Sequence, residues 1–255
     1  MTIFFHELRR NKLSLIIWSG VLSFMLAVCV LIYPLMELVL EEAMNAMGGA
    51  LGIGDLGLGS FTEYFGAECA SNLGLGGGIF ASILAISVLC KEEKDKTAEF
   101  LLTLPITRAR IITEKLVFVI AEILILNLCV ALFSVLSILA IGVEADAGAI
   151  ALMFLSLLIL QLEVAFICFG LSAFLKGGGI GIGLGVSLGF YFLNLIASLT
   201  EKLEFLNYLT PFAYVNSYYI IENGALDIKY IIVGTILGVG GIVLAYVKYT
   251  RKDIA

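Results

Sequence analysis

The polar side chains that could do chemistry in this chain lie inside long apolar runs. Glu122, Asn127, Glu163 and Asn194 each interrupt such a run. A carboxyl group in apolar surroundings can serve as a substrate or proton site, or it can be a neutral, hydrogen-bonded acid that joins neighbouring helices. The sequence leaves both interpretations open for Glu122 and Glu163.

Motifs for catalysis and metal binding are absent from the sequence. It has one histidine, His6, so neither an HExxH zinc site nor a Ser–His dyad within the apolar runs can be built. It also has no G-x-x-x-x-G-K-S/T phosphate-binding motif. We therefore expect no enzyme activity, no metal and no cofactor in this chain.

Six apolar runs are the elements that must position the polar residues. Each has at least about 17 residues, which is enough for a helix to cross roughly 30 Å of hydrocarbon. The mean hydropathy is +1.08 and 14% of residues are charged, against about 25% in globular proteins. We predict an all-α polytopic membrane protein, a single transmembrane domain over 1–255. Its spans lie at about 13–36, 73–90, 116–142, 149–175, 180–199 and 228–247.

The distribution of Lys and Arg predicts the orientation of these spans. Thirteen of the 15 basic residues lie before the first run, in alternate gaps between runs, or after the last one. Basic residues near span ends stay on the cytoplasmic side. We therefore predict that the N- and C-termini are cytoplasmic and that the chain lies in the plasma membrane. A net charge of −6 gives no indication of nucleic-acid binding.

Residues 1–12 are predicted to form a separate amphipathic helix, an elbow in the membrane interface. Phe4, Phe5 and Leu8 share one helical face, while Glu7 and the basic residues lie on the others. The alternative is a charged tail without such a helix.

The segment 91–115 is the most informative polar segment. Its two ends are charged, and between them lies a compact apolar stretch over 98–106. Thr97 is suited to cap a short helix there, and Pro105 to end it. An exposed apolar face in a solvated loop indicates either a partner surface or contact with lipid.

The residues from Glu99 to Arg108, followed by Ile111 and Lys115, resemble a motif of ABC-2 type transporter permeases. In that family the loop between the second and third spans runs roughly T-x-E-x-L-L-S/T-L-P-I/V-S/T-R-x-x-I/V-x-x-K. Lys96 is a departure, because many members have glycine there. The elbow helix, the six spans, the large first outer loop and the basic tail also resemble the family's plan.

The resemblance implies the membrane subunit of a bacterial or archaeal type V-like ABC exporter, in which the loop docks on a separate ATP-binding subunit. ATP and Mg²⁺ would be bound by that partner. A second copy of this chain, or a related permease, would complete the transporter in the lipid bilayer. On this view Phe100, Leu101, Leu104 and Ile106 make apolar contact, while Glu99 and Arg108 pair with charges at the rim. The implied coupling residues are Thr97, Glu99, Phe100, Leu101, Leu104, Pro105, Ile106 and Arg108.

Glycines recur every four residues before and along the fifth span, at Gly177, Gly181, Gly185 and Gly189. Such spacing gives a flat helix face that another backbone can approach closely. The face serves either packing within the chain or, as the resemblance implies for the first and fifth spans, a dimer interface. The last outer segment, 200–227, is aromatic and is predicted to be extracellular.

Two functions of different classes follow from the sequence. The first is export of an amphipathic or hydrophobic cargo, a peptide or drug rather than a polysaccharide, driven by the partner's ATP hydrolysis. The second is an autonomous secondary transporter that uses Glu122 or Glu163.

Overall fold

The computed structural model describes residues 2–46, 60–94, 107–175, 178–199 and 201–251, and these are almost entirely helical without a strand among them. A π-helical segment, Cys69–Leu75, joins the second and third helices without a break. Two 3₁₀ helices, Glu201–Leu209 and Pro211–Tyr214, precede the seventh. The α-helices are α1 (Thr2–Ala46), α2 (Phe61–Glu68), α3 (Gly76–Lys94), α4 (Arg108–Ile141), α5 (Ala147–Ser172), α6 (Ile180–Leu199), α7 (Ser217–Asn223) and α8 (Ile228–Arg251).

Within the described residues, six helical segments are long and apolar enough to cross a membrane. They are α1, the continuous α2–α3 segment, α4, α5, α6 and α8, so the all-α, six-span prediction is confirmed. Several are longer than the apolar runs. The second begins at Phe61 rather than near residue 73, because Ser60 caps it by accepting a hydrogen bond from the Glu63 backbone N–H at 3.3 Å.

The N-terminal segment differs from the predicted elbow. Residues 2–12 are the first turns of α1 and continue unbroken into the first span, since no proline precedes Pro34 in that helix. Ile3 and Glu7 are only 6% and 4% exposed, whereas Phe5 is 57% exposed. The buried side is therefore not the face of phenylalanines. It is the continuation, at intervals of three and four residues, of the stripe by which α1 packs on α4.

Helices α3 and α5 lie at the centre of the bundle. α6 packs on α3, and α8 packs on α5. The α5–α8 contact is unusually close, because a Cβ atom on Gly170 would lie 2.6 Å from the Cα atom of Gly241. Glycine at both positions lets the two backbones touch.

One end of the bundle gathers the start of α1, the end of α3, the start of α4 and the end of α8; we call it the basic end. Arg108 at the start of α4 donates to the carbonyl of Thr250 near the end of α8 at 3.5 Å. At the opposite end, the backbone N–H of Asp146 donates to Thr62 at 3.1 Å. The spans therefore alternate in direction, and both ends of the described chain lie at the basic end.

Candidate functional site

At the basic end, Glu114 of α4 caps the start of α1. Its carboxylate accepts hydrogen bonds from the backbone N–H groups of Ile3 at 3.1 Å and Phe4 at 3.3 Å. The first N–H groups of a helix have no partner within the helix, and they carry the positive end of its dipole. Arg110 holds the same carboxylate by an ion pair at 3.1 Å. The charge of Glu114 therefore fixes α1 to α4.

The next residue, Lys115, fixes α4 to α3. Its side chain is fully buried, and its ammonium group donates to the carbonyl of Val88 in α3. Successive helical residues point about 100° apart, so Glu114 and Lys115 reach two different neighbours. Burial of an ammonium group is tolerated only where it has such partners.

A third pair of contacts fixes α4 to α8. Thr113 hydrogen-bonds Tyr246 at 2.7 Å, in addition to the bond from Arg108 to Thr250. Arg108, expected at the rim of a partner interface, is half-buried and makes this contact within the chain. The other predicted coupling residues, Thr97, Glu99, Phe100, Leu101, Leu104, Pro105 and Ile106, lie outside the described residues.

Deeper in the bundle, Asn127 and Gln161 join three spans. The Asn127 side chain donates to Gln161 at 2.7 Å, and Gln161 donates to the carbonyl of Leu73 in the π-helical segment at 3.4 Å. Gly77 makes room for the Gln161 amide, because any Cβ there would overlap it. Asn194, which lies on α6, is half-buried away from this chain of bonds.

Glu163 joins α5 to α8 and to the 3₁₀ helix Pro211–Tyr214. One carboxyl oxygen accepts from the Tyr214 hydroxyl at 2.8 Å, and the other accepts from Thr235 at 2.9 Å. Gly234 lies directly against this carboxyl group, where any side chain would clash. Burial, and secondarily the nearby carboxyl, raises the pKa of Tyr214 well above its usual range, so the phenol stays a hydrogen-bond donor.

Glu122 is fully buried in α4, nearer the basic end than Glu163. One of its oxygens accepts a hydrogen bond from the side chain of Asn11 in α1 at 2.5 Å. Its other oxygen, Oε1, is buried without a hydrogen-bond partner. The two buried carboxyl groups thus differ, because both oxygens of Glu163 are satisfied and only one oxygen of Glu122 is.

Comparison with known families agrees with this architecture. The family model described as "ABC-2 family transporter protein" matches residues 1–254. The chain belongs to the ABC-2 family. A search of curated proteins found no match. This ABC-2 permease is a multi-pass membrane protein and a membrane component of transport, in a family that is generally non-catalytic.

The glycines of α6 in this permease divide between two faces. Gly179, just before α6, and Gly183 within it contact Ile86 of α3, so they serve packing within the chain. A Cβ atom on Gly181, Gly185 or Gly189 would meet nothing within 4 Å. The four-residue repeat therefore faces away from the rest of the described bundle; Gly177, at its start, lies outside the described residues.

Several residues of these contacts were not predicted from the sequence. Tyr214 and Thr235 lie 51 and 72 residues from Glu163, and no local pattern pairs residues at that separation. The sequence did contain an indication that Asn11 and Glu7 face the bundle. They lie four and eight residues before the buried Leu15, on the same side of α1. The large apolar side chains of Phe4 and Phe5 instead indicated a different buried face.

Proposed function

We propose that this permease is the membrane subunit of an ATP-driven exporter in the plasma membrane. ATP and Mg²⁺ are bound by a separate ATPase subunit, which docks on the loop between α3 and α4 at the basic end. That end then faces the cytoplasm, as the excess of Lys and Arg favours.

The anchoring of the loop's second flank carries this proposal. Glu114 holds α1, Lys115 holds α3, and Arg108 with Thr113 holds α8, all within the first turns after the loop. A push on the loop therefore acts on four packed elements at once. Closure of an ATPase dimer could shift them together, as rigid elements move in other switching proteins.

A second permease subunit is the proposed partner within the membrane. The open glycine face of α6, with Gly181, Gly185 and Gly189, is flat enough for close contact with another helix. A second copy of this chain or a related permease would fill it. A passage between two such subunits would be lined by apolar spans. We therefore propose a hydrophobic or amphipathic cargo, a peptide or drug rather than a polysaccharide.

The geometry gives less support to an autonomous secondary transporter. Glu163, one of its two candidate carboxyl groups, has both oxygens hydrogen-bonded by groups of neighbouring elements. That arrangement suits a structural link. Glu122, the other candidate, has one carboxyl oxygen without a hydrogen-bond partner.

The test is to co-express the permease with a candidate ABC ATPase subunit from the same genome and to substitute Leu104→Ala and Pro105→Ala together. We expect loss of ATPase co-purification and of ATP-dependent export in liposomes. Leu139→Ala, at the far end of α4 and 72% exposed, is the control and should change neither. Unchanged ATPase binding in the double variant, or transport by the purified permease driven by an ion gradient alone, would refute the proposal.

A further inference from the structure

A cavity of about 260 Å³ lies near the basic end, between α1, α3, α4 and the residues that lead into α6. Its wall includes the polar side chains of Glu7 and Asn11, the aromatic rings of Trp18 and Phe80, and Lys91. The cavity lies on the side of α3 that faces α1, whereas Glu163 faces α8. It is therefore separate from the hydrogen bonds that join α5 to α8.

Glu7 is the most unusual residue of this wall. It is 4% exposed, and among the described residues its carboxyl group has neither a hydrogen-bond donor nor an ion-pair partner. Burying an ionised carboxylate is costly unless a partner compensates for the lost water. A carboxyl group that lines a cavity without such a partner is suited to a ligand that brings the positive charge.

Glu122 lies behind the same wall. Asn11 lines the cavity and donates to one oxygen of Glu122, while the other oxygen has no partner. Glu7 and Lys91 are both close enough to act electrostatically on Glu122. Among the described residues, the charged side chains that line the cavity are Glu7 and Lys91, and the carboxyl group of Glu122 lies behind the wall.

The aromatic part of the wall suits the same kind of ligand. The ring centroids of Trp18 and Phe80 are 5.9 Å apart and the rings are tilted by 52°. The negative face of an aromatic ring attracts a cation, most strongly for tryptophan. Carboxylates beside aromatic rings are the combination that binds organic ammonium groups.

We propose that this cavity binds the ammonium group of an organic cation, with Glu7 as its main counter-charge. Asn11, held by Glu122 behind the wall, supplies a further polar contact, and Trp18 and Phe80 pack on the apolar part next to the charge. The volume is slightly below the roughly 300–1,000 Å³ of most ligand pockets, so it suits a head group with its apolar body leaving toward lipid. The inference concerns ligand binding by this chain and does not depend on an ATPase partner.

Trp18 makes the proposal directly measurable, because it is the only tryptophan in the chain. The full chain in dodecyl maltoside, a neutral detergent without an ammonium group, is titrated with (4-bromobenzyl)trimethylammonium, whose bromine quenches tryptophan fluorescence. The control ligand is the neutral isostere in which carbon replaces the charged nitrogen. We expect saturable quenching by the cation and at least tenfold weaker binding of the isostere. Equal binding of the two ligands would overturn the proposal.

Three variants test whether cation binding depends on Glu7 itself or is changed by altering any buried carboxyl group. Glu7→Gln should weaken cation binding at least tenfold and leave isostere binding unchanged, while Glu7→Asp should keep most of the affinity. Glu163→Gln, which changes a buried carboxyl group away from the cavity, should bind the cation as the unaltered chain does. Unchanged cation affinity in Glu7→Gln would overturn the proposal; if that variant does not fold, the cation-to-isostere ratio of the unaltered chain decides.

The source of the ammonium group is distinguished by adding phosphatidylethanolamine to the micelles. Competition with the brominated cation would assign the site to an amine lipid head group, and its absence would assign it to a soluble or amphiphilic cation. Both results require the ammonium site that we propose.

Discussion

The close α5–α8 contact predicts opposite effects for two neighbouring glycines. Gly241 touches the backbone of α5: a Cβ atom there would overlap the carbonyl oxygen of Phe166 and lie 3.0 Å from its carbonyl carbon. Gly240, one residue earlier in the same helix, would place its Cβ atom where nothing lies within 4 Å. The pair therefore tests the packing of α8 with a single methyl group.

The magnitudes follow from two terms. Gly→Ala within a helix gains about 0.8–1.0 kcal/mol of intrinsic helix stability at either position. At Gly241 the new methyl group meets backbone atoms, which cannot move aside as a side chain can, and overpacking of this kind costs about 1–3 kcal/mol. The free energy of unfolding of Gly241→Ala should therefore lie about 1–3 kcal/mol below that of Gly240→Ala.

The assay is thermal unfolding followed with a thiol-reactive dye. Cys69, Cys90 and Cys168 are at most 2% exposed and become reactive only when the bundle opens. At about 2–4 °C per kcal/mol for a chain of this size, Gly241→Ala should melt about 2–12 °C below Gly240→Ala. Equal melting temperatures would show that α5 and α8 are not in backbone contact.

Three further predictions concern the polar links and the glycine face. Lys115→Met removes the hydrogen bond from a buried ammonium group to the Val88 carbonyl and should lower the free energy of unfolding by about 1.5–3 kcal/mol, measured with the same dye. A double-mutant cycle of Glu163→Gln and Tyr214→Phe should give a coupling of about 0.6–1.7 kcal/mol; additive effects would show that their hydrogen bond does not form. Gly183→Leu should lower the melting temperature of the single chain, whereas Gly185→Leu should leave it unchanged and reduce cross-linking between two copies. Unchanged cross-linking in Gly185→Leu would exclude this face as the dimer contact.

The number of spans could be predicted from the sequence because hydrocarbon selects for long apolar helices. The ends of the spans could not be predicted in this way, because a helix continues beyond the hydrocarbon wherever its backbone N–H and C=O groups remain hydrogen-bonded. The second span illustrates this. Glu63 and Glu68 indicate a solvated loop by hydropathy, yet Ser60 and Glu63 have the S-x-x-E spacing of a capping box. Capping residues, rather than hydropathy, locate that helix start.

The polar contacts were predictable only in kind. A buried glutamate is expected to find donors, and Glu163 does. The identity of those donors depends on how the segment after α6 folds back over the bundle, which involves residues far apart in the chain. Lys115 was identified through its place in the loop motif, whereas its burial against α3 follows only from three-dimensional packing.

The start of α1 connects the proposed ligand site with the proposed docking loop. Glu114 lies eight residues after Ile106 of the predicted docking loop, and its carboxylate accepts hydrogen bonds from backbone N–H groups in the first turn of α1. Glu7 lies one turn further along that helix and lines the cavity. A helix transmits axial displacement because its turns are hydrogen-bonded in series. A shift of the loop would therefore move Glu7 relative to Phe80 of α3, on the other side of the cavity. By reciprocity, ligand binding at Glu7 would favour one position of the loop.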